Sequence, residues 1–184
     1  VEAGDKVAVV GAGGIGFDVS EYLVHQGVST TLDRARWQEE WGVGDPEDQR
    51  GGLLPEGAQP EAPARQVTLL QRKNERLGRR LGKTTGWVHR AVLKMKDVEM
   101  IGGVNYESID DNGLHVSFGD ARENPTLVEA DTIVLCAGQV PERSLADALE
   151  AVGATCHVIG GADVASELDA KRAINQGTRL AAAL

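Results

Sequence analysis

The fold of this 184-residue chain is decided by Val7–Gly16, which reads VAVVGAGGIG. An apolar run leads directly into a glycine-rich turn, and apolar residues at helical spacing follow. This order predicts a buried strand, a tight turn and the start of a helix, which is the arrangement that dinucleotide binding requires. A structural glycine turn without a ligand is the alternative interpretation.

Each glycine of this stretch has a predicted role. Gly11 allows the chain to turn sharply off the strand, Gly13 leaves the main chain open to a pyrophosphate, and Gly16 lets the helix pack closely against the strand. Gly14 and Ile15 lie at the helix start, where free N–H groups and the helix dipole favour a phosphate. We therefore predict that these five residues bind the pyrophosphate of a dinucleotide.

Apolar runs elsewhere predict the remaining strands of an α/β protein. Apolar runs indicate parallel strands at residues 6–10, 66–70, 98–101 and 131–136, with the first buried on both faces and the last also buried. Alternating residues around DDNG indicate an antiparallel meander of residues 104–109, 114–118 and 126–130, with Asn112-Gly113 supplying positive φ. A further strand that ends in a glycine turn and Asp163 is expected in CHVIGGADV, residues 156–164.

Helical spacing of apolar residues predicts four helices. In the first helix, Ile15, Val19, Tyr22 and Leu23 should face the core, and Gly27 should mark the end. The later helices should bury Trp87, Val88, Ala91, Val92 and Met95, then Leu145, Leu149 and Val152, then Leu168, Ala173, Ile174 and Leu180.

Residues 28–65 interrupt the expected alternation of strands and helices. The segment is rich in Gly, Pro and acidic residues, and it contains WQEEWG near its start. We predict an inserted excursion with a short helical turn around Trp37–Trp41, docked on the domain because two tryptophans offer much area to bury.

The second strand ends in the basic sequence Gln71-Arg72-Lys73. A fold that prefers NAD carries an Asp or Glu at this place to bind the ribose 2′-hydroxyl, whereas basic residues suit a 2′-phosphate. Arg72 offers a planar fork and Lys73 a second positive charge, so we predict NADPH binding. The alternative is a solvated basic loop, RKNERLGRR at residues 72–80. The long separation from Gly16 is attributed to the excursion.

Composition and spacing exclude several other functions. The formal net charge of −9 argues against nucleic acid or an anionic membrane as a partner. Cys136 and Cys156 lie far apart in apolar runs without metal-ligand spacing, which is typical of buried, reduced thiols in a cytoplasmic protein. Only three residues separate Gly78 from Gly82 in LGRRLGKT, one fewer than a P-loop requires. His89 is expected to be a satisfied or exposed histidine.

Several segments together resemble a known family. They are VGAGGIGFDVSEYL, LGKTTGWVHR, VLCAGQVPER and VIGGADVASELDAKRAINQGTRLA. Over essentially the whole chain the sequence resembles the C-terminal region of bacterial NADPH-dependent 2,4-dienoyl-CoA reductases, in the family that includes trimethylamine dehydrogenase. The resemblance implies a flavoprotein that binds two dinucleotides. Residues 1–137 would be its NADPH-binding domain, and residues 138–184 would be an incomplete, returning segment of its FAD-binding domain.

The resemblance also implies roles for two later residues. Asp163 in VIGGADVA would bind the ribityl hydroxyls of FAD, and the amides after it would start a helix that faces the flavin or its pyrophosphate. A helix N-cap is the alternative role of Asp163. Gly138 would lie near the junction of nicotinamide and flavin. Electrons would pass from NADPH to FAD, then through a 4Fe–4S cluster to FMN for dienoyl-CoA reduction, with the cluster and FMN in parts of the polypeptide outside this chain. No residue here is expected to act as a general acid or base, or to bind a metal.

Two further hypotheses stay open at this point. The chain could be a structural module that holds ADP, as relatives like trimethylamine dehydrogenase do, although Arg72 and Lys73 argue against it because ADP has no 2′-phosphate. It could also belong to a flavoprotein reductase of another substrate class. Since the chain begins with Val1 and no initiator Met, we expect it to be part of a longer polypeptide.

Overall fold

The structure is a computed structural model that describes residues 2–166 and 168–184, and it divides into two units between Ala137 and Gly138. No helix within these described ranges is long and apolar enough to cross a membrane. The first unit contains β1 (Lys6–Val10), α1 (Gly14–Val24), α2 (Arg34–Trp41), β2 (Gln66–Gln71), α3 (Gly86–Met95), β3 (Glu99–Gly102), β4 (Val104–Asp110), β5 (Gly113–Phe118), β6 (Glu123–Glu129) and β7 (Thr132–Leu135). The second unit contains α4 (Ser144–Ala151) and α5 (Ala170–Ala181).

A four-stranded parallel sheet with the order β3-β2-β1-β7 forms the centre of the first unit. Val10 of β1 is in register with Leu70 on one side and with Leu135 on the other, so β1 is buried along its apolar run. The predicted parallel strands and the Rossmann-like α/β fold class are confirmed. The expectation that the last strand is buried is wrong, because β7 pairs on one side only and Leu135 is 72% exposed.

Helix α1 faces the core with a different stripe from the predicted one. Phe17, Ser20 and Leu23 are buried, whereas Ile15 and Tyr22 are exposed. The reason is the close approach of Gly16 to the Gly11 carbonyl, which sets the rotation of the helix and turns the face that includes Gly16 inward. The helix ends at Val24, before the expected Gly27.

The predicted buried face of α3 is wrong in the same way. Its most deeply buried side chain is Leu93, which the predicted stripe omitted, and the predicted core residue Trp87 is more than half exposed. The helix begins directly after Thr85, and it packs on α1. His89 lies between the two helices, where its Nδ1 is 3.2 Å from Glu21 Oε2, in agreement with a satisfied histidine.

The antiparallel meander is confirmed as a three-stranded sheet with the order β4-β5-β6. At its first turn only Gly113 has a positive φ, of +135°, so the expectation that Asn112 shares it is wrong. The Asp110 carboxylate accepts a hydrogen bond from the Asn112 N–H at 2.8 Å and stabilises the turn instead. Gly113 is required, because a Cβ there would lie 2.3 Å from the Val128 carbonyl oxygen.

The hairpin turn should respond to acid. Hydrogen bonds from the Asn112 N–H and from the His115 side chain lower the pKa of Asp110 below its ordinary value. Because this pKa is lower in the folded than in the unfolded chain, the stabilisation is present at neutral pH and is lost as the pH falls through the lowered pKa. We expect carboxyl NMR titration to give a depressed pKa for Asp110, and His115→Ala to raise it partway. An Asp110 pKa at or above the usual aspartate value would contradict this account.

The excursion of residues 28–65 packs on the first unit through a buried ion pair. Helix α2 confirms the predicted helical turn, and its Trp37 and Trp41 rings contact each other with centroids 6.3 Å apart. The excursion is held by Lys96 and not by the tryptophans as predicted. Lys96 Nζ donates to Glu40 Oε1 at 2.7 Å and to the Glu61 carbonyl at 3.0 Å. Lys96 follows α3 directly, so the end of that helix holds the excursion in place.

The second unit departs from the predicted elements at two places. The residues before Gly160 form extended chain instead of a strand, since the unit's described residues offer no neighbouring strand to hydrogen-bond with. The predicted glycine turn is present as a 3₁₀ turn at Gly160–Ala162. Helix α5 begins late, at Ala170, because the Asp169 carboxylate caps it by accepting from the Arg172 N–H at 2.7 Å. Several predicted core residues are exposed in this unit: Leu145, Leu149, Val152, Leu168 and Ile174.

Candidate functional site

The glycine loop after β1 has the geometry that its three spaced glycines predict. Gly11 has a φ of +112°, and a Cβ there would lie 2.6 Å from the Cys136 carbonyl oxygen. A Cβ on Gly16 would lie 1.8 Å from the Gly11 carbonyl oxygen, whereas one on Gly13 would have no atom within 4 Å. Gly11 and Gly16 are therefore needed for the turn and the packing, and Gly13 faces open space that a ligand could enter.

The start of α1 adds a favourable field to this open space. The helical ladder begins with the Phe17 N–H donating to the Gly13 carbonyl at 3.1 Å, so the earlier N–H groups of the helix are directed outward. Gly14 and Ile15 are exposed at this end, and Gly14 also has no atom within 4 Å of a Cβ position. The arrangement fits an anionic group such as a pyrophosphate.

The basic residues predicted for the end of β2 lie at the same edge of the sheet. The Gly11 N–H donates to the Leu70 carbonyl at 2.8 Å, so the glycine loop starts where β2 is about to end. Arg72 and Lys73 follow, and both side chains are exposed. Among residues 2–166 and 168–184, neither side chain has a hydrogen-bond or ion-pair partner, which leaves two cations available to an anion.

The charge of Arg72 also acts on Tyr106 in β4. Burial raises the pKa of the Tyr106 phenol, and the positive charge of Arg72 offsets part of that rise. The effect requires the guanidinium to lie within electrostatic range of the phenol. Tyr106, a half-buried aromatic residue that the sequence patterns did not mark as part of the site, is therefore within electrostatic range of the Arg72 charge.

The strand on the other side of β1 contributes Cys136. Its N–H donates to the Val10 carbonyl at 2.8 Å, and burial raises the pKa of its thiol. A raised pKa keeps the thiol neutral at physiological pH and makes it a poor nucleophile. Cys136 and Cys156 are both free thiols, as expected, but each is only partly buried, so the expectation that they are buried is wrong.

In the second unit, hydrogen bonds from Gln176 and Arg143 hold Asp163 in place. Gln176 Nε2 donates to Asp163 Oδ2 at 2.8 Å, and the same amide accepts from the Gly160 N–H at 2.8 Å. Arg143 donates to the Ala162 and Asp163 carbonyls at 2.9 and 2.7 Å, and one of its nitrogens is 3.4 Å from Asp163 Oδ1. The Asp163 side chain is 40% exposed, so Oδ1 can still accept a hydrogen bond.

The alternative role of Asp163 as a helix N-cap is wrong. Asp169 caps α5, and Asp163 ends a 3₁₀ turn six residues earlier. The expectation that the amides directly after Asp163 start a helix fails for the same reason. Asp163 and Gln176 line a surface cleft of about 540 Å³ within the second unit. Gly138 has a φ of +106°, and its Cβ position has no atom within 4 Å.

The structure therefore brings Gly11, Gly13, Gly14, Ile15, Gly16, Arg72 and Lys73 to one edge of the parallel sheet, and it places Gly138 and Asp163 in the second unit. Sequence reasoning missed the residues that hold these groups in place: Gln71, Arg143 and Gln176. Of these three, only Gln71 could have been identified from the sequence, because an amide stands at the end of the second strand, where a carboxylate or a cation is usual.

The parallel sheet, the turn at Gly11 and Gly16 and the open start of α1 define a dinucleotide-binding domain of the Rossmann type. The chain belongs to the pyridine nucleotide-disulphide oxidoreductase family, whose sequence profile matches residues 1–173. The predicted membership of a flavoprotein oxidoreductase family is confirmed at this level.

Two solved structures share the fold. A 2-naphthoyl-CoA reductase in complex with 2-naphthoyl-CoA is 19% identical with a TM-score of 0.65, and the match covers 96% of this chain and 21% of that one. Histamine dehydrogenase from Rhizobium sp. 4-9 is 13% identical with a TM-score of 0.64, and the match covers 97% and 23%. The chain thus spans about a fifth of the length of these proteins.

Proposed function

We propose that this chain binds NADPH and positions it for hydride transfer to FAD, as part of a flavin-dependent oxidoreductase that resembles 2,4-dienoyl-CoA reductase. The observation that carries the proposal is the pair of exposed cations Arg72 and Lys73 beside the glycine loop, which have no hydrogen-bond or ion-pair partner in the part of the chain that the structure describes. A 2′-phosphate needs such cations, whereas NADH and ADP have a neutral hydroxyl at the 2′ position.

In this proposal the work of the first unit is binding and orientation. Gly13 and Gly14 leave room for the pyrophosphate, and the outward N–H groups of α1 donate to it. The planar guanidinium of Arg72 can donate two parallel hydrogen bonds to a 2′-phosphate, and Lys73 adds a compact charge. When bound, the nicotinamide supplies the hydride, and the residues of this chain are not required to move a proton.

The proposed role of the second unit is to contribute to an FAD site. The half-exposed Asp163 carboxylate has an oxygen with spare capacity, and it faces a cleft that polar side chains line. Such a carboxylate suits the hydroxyls of a ribityl chain. Gly138 would lie near the junction of the two cofactors. We assign FMN, a 4Fe–4S cluster and the reduction of an acyl-CoA substrate to other parts of the same cytoplasmic polypeptide.

The proposal is tested by titrating the chain with NADPH, NADH and ADP. We expect NADPH to bind most tightly, and Arg72→Ala to weaken NADPH by about 10- to 100-fold because a charge-assisted hydrogen bond to the 2′-phosphate contributes about 1.5–3 kcal/mol. NADH affinity should change little.

Arg50→Ala is the matched control, since it removes the same charge from an exposed position in the excursion. It should leave the NADPH affinity unchanged. Equal affinities of the unmodified chain for all three nucleotides would contradict the NADPH proposal and favour a structural ADP-holding module. If Arg72→Ala weakened NADPH and NADH alike, Arg72 would have a structural role.

A further inference from the structure

We infer that Gln71 determines the preference for NADPH over NADH by shaping the loop that presents Arg72 and Lys73. The inference rests on the proposed function, because it assigns a positioning residue to the same site. Gln71 itself would not contact the 2′-phosphate in this account. It would act through the backbone of Arg72 and Lys73, whose side chains would contact the 2′-phosphate.

The contacts of Gln71 close the basic loop on itself. Its Nε2 donates to the Lys73 carbonyl at 2.9 Å and to the Glu75 carbonyl at 2.6 Å. Both amide hydrogens are therefore used within four residues of the same chain, and the main chain after β2 is held in a tight reversal. Because both of its N–H donors are engaged in this way, the Gln71 side chain cannot donate a hydrogen bond to a ribose hydroxyl.

The end of β3 supports the same loop from the other side. The Gly103 N–H donates to the Lys73 carbonyl at 3.1 Å, so this carbonyl accepts from two donors. A Cβ on Gly102 would lie 3.2 Å from the Glu75 carbonyl oxygen and 3.3 Å from that of Lys73, so the loop sits close against the strand end. The two carbonyls face Gln71 and the strand, while the side chains of Arg72 and Lys73 stay exposed.

The chemistry of the amide explains why this residue can affect nucleotide choice. Glutamine has two N–H donors, and both are needed to bind two carbonyl oxygens. A glutamate at the same position has no donor when ionised and would repel both carbonyls. An acidic residue at this strand end, which suits NADH, is therefore incompatible with the loop conformation that presents the two cations.

The test replaces Gln71 with methionine, which has a similar length and no donor. We expect Gln71→Met to weaken NADPH about tenfold, since the hydrogen bonds that preorganise the loop are lost. NADH affinity should change less than about twofold, so the ratio of the two affinities falls about tenfold as well. A residue needed only for folding would lower both affinities together. Gln71→Glu should lower the ratio further, because the carboxylate opens the loop and also repels a 2′-phosphate.

Gln59→Met is the matched control. Gln59 Nε2 donates to the Glu56 carbonyl at 3.1 Å in the excursion, so this variant removes the same type of bond away from the basic loop, and the ratio should not change. If Gln71→Met fails to fold, Gln71→Asn replaces it, because its shorter amide cannot span both carbonyls. An unmodified chain that binds NADPH and NADH equally would overturn the proposed function and this inference. A selective chain whose Gln71 variants stay equally selective would overturn the inference alone.

Discussion

Replacing Gly16 with alanine is expected to disrupt the first strand–helix unit and to abolish dinucleotide binding with it. The new Cβ would lie 1.8 Å from the Gly11 carbonyl oxygen, a distance that no side-chain rotation can relieve. Gly11 cannot move away, because its N–H is bonded to the Leu70 carbonyl and its own Cβ position is already filled by the main chain of Cys136. Overpacking of this severity should cost about 3 kcal/mol of stability or more.

Gly14→Ala is the control for this prediction. It adds the same methyl group two residues earlier in the same helix, where no atom lies within 4 Å. Alanine favours a helix over glycine by up to about 1 kcal/mol, so the melting temperature should be equal or higher. Thermal unfolding followed by circular dichroism compares the variants. If Gly16→Ala and Gly14→Ala melted at the same temperature, the close approach would not be essential to the fold.

Replacing Lys96 with methionine should release the excursion of residues 28–65. The Glu40 and Lys96 side chains are 10% and 7% exposed, so the substitution leaves a buried carboxylate without its cation. Removing one partner of a buried ion pair costs about 3 kcal/mol or more. We expect a lower melting temperature and faster protease cleavage between residues 28 and 65, measured by mass spectrometry of the fragments.

Two further variants separate burial from charge in this prediction. The double variant Glu40→Gln with Lys96→Met removes both charges and should recover part of the lost stability. Lys6→Met breaks an exposed ion pair with Glu129, whose nitrogen–oxygen distance of 2.5 Å is even shorter, and should change the melting temperature little. Equal losses for Lys96→Met and Lys6→Met would show that burial does not determine the effect.

The strands of the first unit and their order along the chain could be predicted from sequence because the signals are local. The run at Lys6–Val10 and the alternation around Asp110–Gly113 each depend on neighbouring residues, and both elements are confirmed. The second unit shows the limit of such signals. The apolar run before Gly160 resembles a strand, yet the described part of that unit contains no strand beside it, so it remains extended chain.

The faces of the helices were harder to predict for a geometric reason. Apolar spacing alone pointed Ile15 and Tyr22 inward, but the contact of Gly16 with Gly11 rotates α1 and buries Phe17 instead. The rotation depends on a distance between two backbone positions, which the apolar pattern does not contain. The ion pair of Glu40 with Lys96 was missed for a similar reason, since 56 residues separate the partners along the chain.

By itself, the sequence determined the turn at Gly11–Gly16, the parallel sheet around it and the presence of Arg72 and Lys73 after the second strand. These features follow from residue types at short spacing, which restrict the backbone wherever they occur. Tertiary structure alone decided that the two cations lie beside the glycine loop and that Gln71 holds their backbone. Both depend on parallel pairing of β1 with β2 across the long excursion, and long-range pairing is fixed only when the chain folds.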